Sequence, residues 1–160
     1  MEKDFLKELG YLGVTARIKR LSDTLFYSIK ELYDHQGIDI EPSWHLVLLA
    51  LKQENQVTMI DLAKWLNLSK PAITKMVNKM QRMGYVDFAS DQNDQRKKIV
   101  QLSAKAKKEL PKFEKIWNAG QKTVEQMLEN NPMFLEALSD FEKQQSEQSF
   151  STRAIKRLNP

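Results

Sequence analysis

The stretch from Ser69 to Gly84 most constrains what this chain can fold into. Ser69 followed by Pro71 is typical of a helix start, because serine caps the first turn and proline needs no hydrogen-bond donor there. Apolar residues then recur at the spacing that lines one helix face: Ile73, Met76, Val77, Met80 and Met83. Gly84 is expected to end the helix. The stretch therefore predicts a helix with one buried face and one solvated face.

The segments on either side extend this pattern. Thr58 is expected to cap a shorter helix through Leu66, and Asn67 to make the turn with Leu68. The inner face of that helix is predicted to hold Ile60, Ala63, Trp65 and Leu66, with Leu68 as an apolar plug. Residues 85–90 and 96–102 read as two strands joined by a polar loop, a hairpin too small to be stable alone. This order of elements predicts a winged helix-turn-helix.

The basic residues are concentrated in the same region. Residues 64–108 hold eleven Lys or Arg and three Asp, a net charge of +8, which leaves −4 for the rest of a chain of net charge +4. A basic segment in an otherwise acidic chain is typical of a protein that binds nucleic acid. A solvated charged face is the alternative interpretation, and the position of the charges on a helix-turn-helix pattern favours the first.

The N-terminal flank is predicted to be helical. Residues 3–33 read as one long helix that is apolar around much of its circumference. Residues 44–53 read as a second helix, capped by Ser43 and apolar nearly all round, which favours full burial.

The C-terminal flank is also predicted to be helical. Ser103 is expected to cap a helix reaching about Asn130, and residues 133–148 to form a last amphipathic helix. Residues 151–160 are weakly patterned, as a frayed tail or a partner-binding arm.

These flanks are more apolar than one subunit can cover, which predicts a dimerisation region of residues 3–53 and 103–150 around a DNA-binding region of residues 55–102. The fold class expected for residues 1–160 is mainly α with a small β-hairpin wing. Double-stranded DNA and a second copy of the chain are the expected partners.

The solvated face of the second helix suits a DNA groove. Asn78 can pair with adenine through two hydrogen bonds, and Ala72 or Thr74 can touch a thymine methyl. Lys75, Lys79 and Arg82 suit phosphates, which fix register. The predicted DNA-contacting residues of this helix are Ser69, Lys70, Ala72, Thr74, Lys75, Asn78, Lys79 and Arg82. The alternative is a solvent-exposed helix whose lysines serve solubility.

The hairpin adds a second basic element. An arginine at its tip suits the negative potential of a narrow minor groove, so Arg96 is predicted to enter one. Asp94 would hold that arginine or the turn, and Lys97 and Lys98 follow it. An Asx turn with a weak surface ion pair is the alternative.

Several other classes of function find no support. Cysteine is absent, which excludes disulfides and thiolate sites, and two histidines disfavour a histidine-rich metal site. We expect no metal centre or cofactor, and a site made mainly of carboxylates is the alternative that composition leaves open. No long apolar run or signal peptide is present, so we expect no membrane span and a cytoplasmic protein. No arrangement of residues specifies a catalytic site, so no enzyme is predicted. A winged-helix adaptor that binds proteins without reading DNA remains the alternative to a DNA-binding regulator.

The run LAKWLNLSKPAITKMVNKMQRMGYV, the D-x-x-D-x-R-K-K turn and the following VQLS together resemble the MarR family of bacterial transcription regulators. The resemblance covers about residues 58–107. It implies a homodimer, a recognition helix from Ser69 to Arg82, and a minor-groove contact by Arg96. Two features depart from the family: no arginine stands near Phe88 in the first wing strand, and Ala106 replaces the usual glycine after the wing.

The same resemblance implies a pocket for a small aromatic or apolar effector between the dimerisation helices and the DNA-binding unit. Tyr11, Arg17, Trp44 and His45 are the candidate effector-binding residues. Aromatic core packing, with His45 at the edge of the core, is the alternative. The regulator is expected to act as a repressor on a pseudo-palindromic site.

Overall fold

The N-terminal region is not one helix. The structure is a computed structural model that describes residues 3–54, 56–90 and 98–159. Helix α1 spans Phe5–Glu8, a 3-10 helix spans Gly10–Gly13, and helix α2 spans Val14–His35. The expectation of a continuous helix over residues 3–33 is therefore wrong. Gly10 adopts a φ of +54°, and a Cβ on Gly13 would lie 2.3 Å from the Leu6 carbonyl oxygen, so the break depends on glycine.

Helix α3 spans Trp44–Gln53, as predicted. Ser43 stands at its N-cap, but its side chain makes no capping hydrogen bond, because its backbone is already helical rather than extended. Full burial is also wrong, since Leu46 and Leu49 are exposed. The opposite face of α3 packs into the core, where Trp44, Val47, Leu48 and Leu51 are buried.

Helix α4 spans Met59–Trp65 and begins where the sequence predicts. The Asp61 N–H donates to Thr58 Oγ1 at 3.1 Å, which caps the helix. Its buried residues are Leu62 and Ala63. Of the predicted inner face, Ala63 is buried and Leu66 half-buried, whereas Ile60 and Trp65 are exposed, as is the predicted plug Leu68.

Helix α5 spans Lys70–Arg82 and closely matches its prediction. The Ala72 N–H donates to Ser69 Oγ at 3.3 Å. Ile73, Val77 and Met80 are fully buried, Met76 is half-buried and Met83 is exposed. Gly84 ends the helix at φ +78°, and the Tyr85 N–H then donates to the Met80 carbonyl at 2.9 Å.

The wing belongs to a three-stranded antiparallel sheet in the order β1-β3-β2. Strand β1 spans Val57–Thr58, β2 spans Val86–Ser90 and β3 spans Lys98–Leu102. Val100 lies opposite Val57 on one side and Phe88 on the other. The sequence did not predict β1, because it has two residues and follows a polar segment. The predicted loop over residues 91–95 lies outside the described residues.

Three helices complete the chain: α6 spans Ala104–Met127, α7 spans Met133–Glu147 and α8 spans Phe150–Leu158. Helix α6 ends before the predicted Asn130, and the predicted tail is largely helical from Phe150. The Thr152 N–H donates to Ser149 Oγ at 3.3 Å and caps α8. The chain divides into two compact units, Met1–Pro111 and Lys112–Pro160. Within the described ranges, none of these helices combines the length and the apolar character needed to cross a membrane.

Candidate nucleic-acid interface

The solvated face of α5 carries the predicted DNA-contacting side chains together. All of them are exposed: Ser69, Lys70, Ala72, Thr74, Lys75, Asn78, Lys79 and Arg82. The opposite face is fixed by Ile73, Val77 and Met80, whose side chains expose 0% of their surface. A helix locked on one side can present the other side without rearrangement. The structure therefore places the helix residues as the sequence predicted, although their contacts with DNA stay a prediction.

The wing is described at its base. Lys98 is exposed at the start of β3, opposite Ser90. Its Nζ lies 5.6 Å from the centroid of the Phe88 ring, diagonally across the two strands. A cation over an aromatic face is held electrostatically. Asp94, Arg96 and Lys97 lie outside the described residues.

One contact of the basic face comes from a distant part of the chain. Lys79 Nζ donates to Glu41 Oε1 at 2.5 Å, and both side chains are partly exposed. Glu41 precedes α3 and is separated from Lys79 by 38 positions. Sequence reasoning assigned Lys79 to phosphate and did not find this carboxylate, because helical spacing reports only neighbours within one element.

The C-terminal end of α5 is tied to the rest of its unit by a polar cluster around Tyr85. The Tyr85 hydroxyl donates to Asp39 Oδ1 and lies 3.2 Å from Glu109 Oε2. Lys105 Nζ lies 3.9 Å from the Tyr85 ring centroid and donates to the Met83 carbonyl at 3.2 Å. Since Met83 is the C-cap of α5, the cluster joins the end of this helix to α6 and to the segment before α3.

The Tyr85 hydroxyl and the Asp39 carboxyl, which are joined by a hydrogen bond, have pKa values shifted in opposite directions. Burial, followed by the hydrogen bond to Asp39, raises the pKa of Tyr85 far above its usual value. Partial removal from water would raise the pKa of Asp39, but the Tyr85 hydroxyl and the Lys105 ammonium outweigh it and hold that pKa below its usual value. The hydroxyl thus stays protonated and the carboxylate stays charged near neutral pH.

Ser103 makes a second connection at the same place. Its hydroxyl donates to the Gly84 carbonyl at 2.6 Å and accepts from the Ala106 N–H at 3.0 Å. Ser103 therefore caps α6, as predicted, and also binds the turn that ends α5. The Trp44 and Tyr85 rings pack edge to face, with centroids 5.9 Å apart.

The candidate effector residues have dissimilar environments. Tyr11 is 99% exposed in the 3-10 helix, and Arg17 is exposed on α2. Trp44 is buried in the core. His45 is half-buried, with Nδ1 at 2.6 Å from the Pro42 carbonyl oxygen. Trp44 and His45 thus have the core and core-edge positions of the alternative interpretation, and an effector site at these residues stays a prediction.

Comparison with known proteins identifies the fold. The MarR family model matches residues 38–97, whereas no curated protein sequence gives a significant match. The structure of the transcriptional repressor CouR bound to a 23-mer DNA duplex is 18% identical, covers 88% of this chain and 99% of that chain, and has a TM-score of 0.72. The structure of reduced AbfR bound to DNA is 23% identical, covers 82% and 91%, and has a TM-score of 0.64.

A third structure, the transcriptional regulator BldR from Sulfolobus solfataricus, is 24% identical, covers 91% of this chain and 99% of that chain, and has a TM-score of 0.60. These likenesses show a shared fold, mostly helical with a small antiparallel sheet. The family match falls on α3, β1, α4, α5 and β2, and so includes the helix that presents the basic face. Residues 38–97 therefore match the MarR family, and the chain has the winged-helix fold of these structures.

Proposed function

We propose that this protein is a sequence-specific DNA-binding regulator of transcription that places α5 in the major groove. The observation that carries the proposal is the exposed, capped and basic face of α5, on a helix anchored by the fully buried Ile73, Val77 and Met80. An α-helix of this kind fits the major groove of B-DNA. The DNA-bound structures of CouR and AbfR, which share the fold, support the same partner.

The side chains of α5 divide into two roles. Asn78 would read adenine, and Thr74 and Ala72 would contact thymine methyl groups. Lys70, Lys75, Lys79 and Arg82 would bind phosphates and fix the register, and the helix N-terminus at Ser69 would favour a phosphate as well.

The wing would supply a contact beside the major groove. Arg96 would enter the adjacent minor groove, with Asp94 orienting it and Lys97 and Lys98 on the backbone. Phe88 supports Lys98 from below, and it stands near the position where the family pattern has an arginine. The lysine on its ring would therefore replace a phosphate contact that this chain lacks.

We infer that the active form is a homodimer built by residues 3–53 and 103–150. Helix α2 has one buried residue, Tyr33, and leaves Ile18, Leu21 and Phe26 exposed. In the second unit, exposed apolar side chains line α6 to α8: Val124, Met127, Phe134, Leu135, Leu138, Phe141, Phe150 and Ile155. Exposed apolar surface of this extent is typical of an interface. A two-fold dimer would read a pseudo-palindrome with half-sites about one helical turn apart.

Regulation would follow from the spacing of the two winged units. CouR is described as a repressor, and we propose repression for this protein too. A small aromatic or apolar effector near Tyr11, Arg17, Trp44 and His45 would release DNA if it binds more tightly to a spacing that does not fit the operator.

Selection of bound sequences from a random DNA pool tests the proposal directly. The expected product is a pseudo-palindrome, and Arg96→Ala should weaken binding to it and lower the salt slope by about one unit. Arg157→Ala on α8 is the matched control, because it removes the same charge outside the residues proposed to contact DNA. Recovery of no preferred sequence, or equal effects of the two substitutions, would contradict the assigned roles.

A protein-binding adaptor is the second candidate. It is favoured by the exposed Ile60 and Trp65 on α4, which form no part of the proposed DNA face. Titration with random-sequence duplex at low salt separates the two. A DNA-binding winged helix should bind it at micromolar protein, since nonspecific affinity is mostly electrostatic, with a Kd of about 10⁻⁴ to 10⁻⁶ M at physiological salt. An adaptor should not bind.

A further inference from the structure

The segment of residues 38–41, which precedes α3, holds two carboxylates against the DNA-binding unit. Ile38 and Ile40 are buried, whereas Asp39 is exposed and Glu41 half-buried, so the segment alternates like a strand. Asp39 accepts from Tyr85, next to the end of α5, and Glu41 accepts from Lys79 on α5 itself. The alternation of the two isoleucines with the two acids is the sequence signal that could have found this arrangement.

Glu41 is anchored in this position. Its neighbours Ile40 and Pro42 are both buried, and its carbonyl accepts the Trp44 N–H at 2.9 Å. The Glu41 backbone is therefore fixed on both sides. When the ion pair opens, the Lys79 ammonium can move away on its long, flexible stem, whereas the Glu41 carboxylate stays within a side-chain length of α5.

Lys79 differs in this respect from the other cations of α5. Among the described residues, Lys79 is the only cation of α5 that forms an ion pair. Its Nζ lies 2.5 Å from Glu41 Oε1. Lys75 and Arg82 lie one turn away on the same exposed face. The centre of the basic face is thus neutralised within the protein before DNA arrives.

We propose that Glu41 competes with a DNA phosphate for the Lys79 ammonium, and so sets the affinity and salt dependence of DNA binding. The inference rests on the proposed function and specifies the regulation of that site. Lys79 must leave Glu41 to reach a phosphate, and the carboxylate it leaves then regains a solvent cation. Fewer ions are released overall than the lysine count of α5 implies.

The size of the effect follows from the exposure of the pair. The side chains of Lys79 and Glu41 are 49% and 40% exposed, so water screens their attraction. Removing such a pair from the free protein should tighten DNA binding roughly two- to fivefold. The dependence of log Kd on log salt concentration should become steeper by up to about one unit. In this variant Lys79 still releases a DNA counterion, but no freed carboxylate takes up a solvent cation in return.

The experiment measures the Kd of the full chain for a labelled duplex recovered by the selection, across a salt series. Glu41→Gln keeps the shape of the side chain and removes its charge. Glu31→Gln is the matched control, because it makes the same charge change at an exposed position of α2. Each glutamine is also introduced into Lys79→Gln protein, and thermal melting verifies that every variant folds.

Support requires three results together. Glu41→Gln must bind more tightly than Glu31→Gln, steepen the salt slope, and lose both effects in the Lys79→Gln background. Equal effects of the two glutamine substitutions, or a Glu41 effect that persists without Lys79, would overturn the inference while the proposed function stands. A wild-type chain that binds no duplex would overturn both.

Discussion

Helices α5 and α2 are both amphipathic, but they complete their cores in different ways. Ile73 on α5 is 0% exposed, whereas Ile18 on α2 is 47% exposed. The apolar face of α5 is buried against other parts of the same chain, and the polar cluster around Tyr85 holds the end of the helix. Helix α2 buries a single residue, Tyr33, within the protomer. The difference indicates that α5 is anchored within its own subunit, whereas α2 leaves exposed the apolar face that the proposed dimer would cover.

The largest effect is expected when the same substitution, isoleucine to alanine, is made in each of the two helices and the stabilities are compared. Ile73→Ala should lower the free energy of unfolding by about 2 to 5 kcal/mol, because it leaves a cavity in a closed core. Ile18→Ala should cost the protomer less than about 1 kcal/mol but weaken self-association. Urea unfolding and sedimentation over a range of protein concentrations measure both. Equal losses of stability at the two positions would break the comparison.

A smaller effect is expected from the hydroxyl that ties down the end of α5. Tyr85→Phe should lower the free energy of unfolding by about 1.5 kcal/mol, because it removes a hydrogen bond to a charged acceptor. Tyr27→Phe on α2 is the matched control, since it removes the same hydroxyl from a residue that is 71% exposed. Chemical denaturation of the two variants provides the measurement.

The same variant makes a prediction about pH. The pKa of Asp39 is lowered in the folded protein, so its contribution is present above its unfolded value of about 3.9 and is lost as pH falls through the folded pKa. The pKa of Tyr85 is raised, so its contribution is present below about 10 and is lost at higher pH. The stability difference between wild type and Tyr85→Phe should therefore be flat between about pH 4 and pH 10 and shrink outside that range. A difference that varies near neutral pH would contradict this account.

The smallest effect tests the other end of α5. Ser69→Ala should cost about 1 kcal/mol, because Ser69 Oγ accepts the Ala72 N–H. Ser43→Ala at the N-cap of α3 should cost only a few tenths, since that side chain accepts no cap hydrogen bond. Thermal melting of the two single variants is sufficient. A larger loss at Ser43 would show that the helix-start pattern, and not the observed bond, predicts stability.

The local pattern predicted those elements whose determinants lie within a few residues. Ser69, the apolar seam and Gly84 specify α5, because capping, helical spacing and a left-handed residue act over one or two turns. Local patterns do not predict a segment whose structure depends on a residue that is further away in sequence but close in space. Gly13 lies where only a glycine can pass Leu6, so the predicted long helix breaks. Strand β1 exists because β3 offers Val57 a partner.

The sequence by itself determined the order of α3, α4, α5, β2 and β3, the basic charge of the segment around α5 and the face of that helix that meets solvent. Only the tertiary structure decided which side chains reach that face from elsewhere. Glu41 and Asp39 lie 38 and 46 positions from their partners Lys79 and Tyr85. Helical and strand periodicity carries no information over such separations, because an ion pair or hydrogen bond between distant residues depends on how the packed core brings their backbones together.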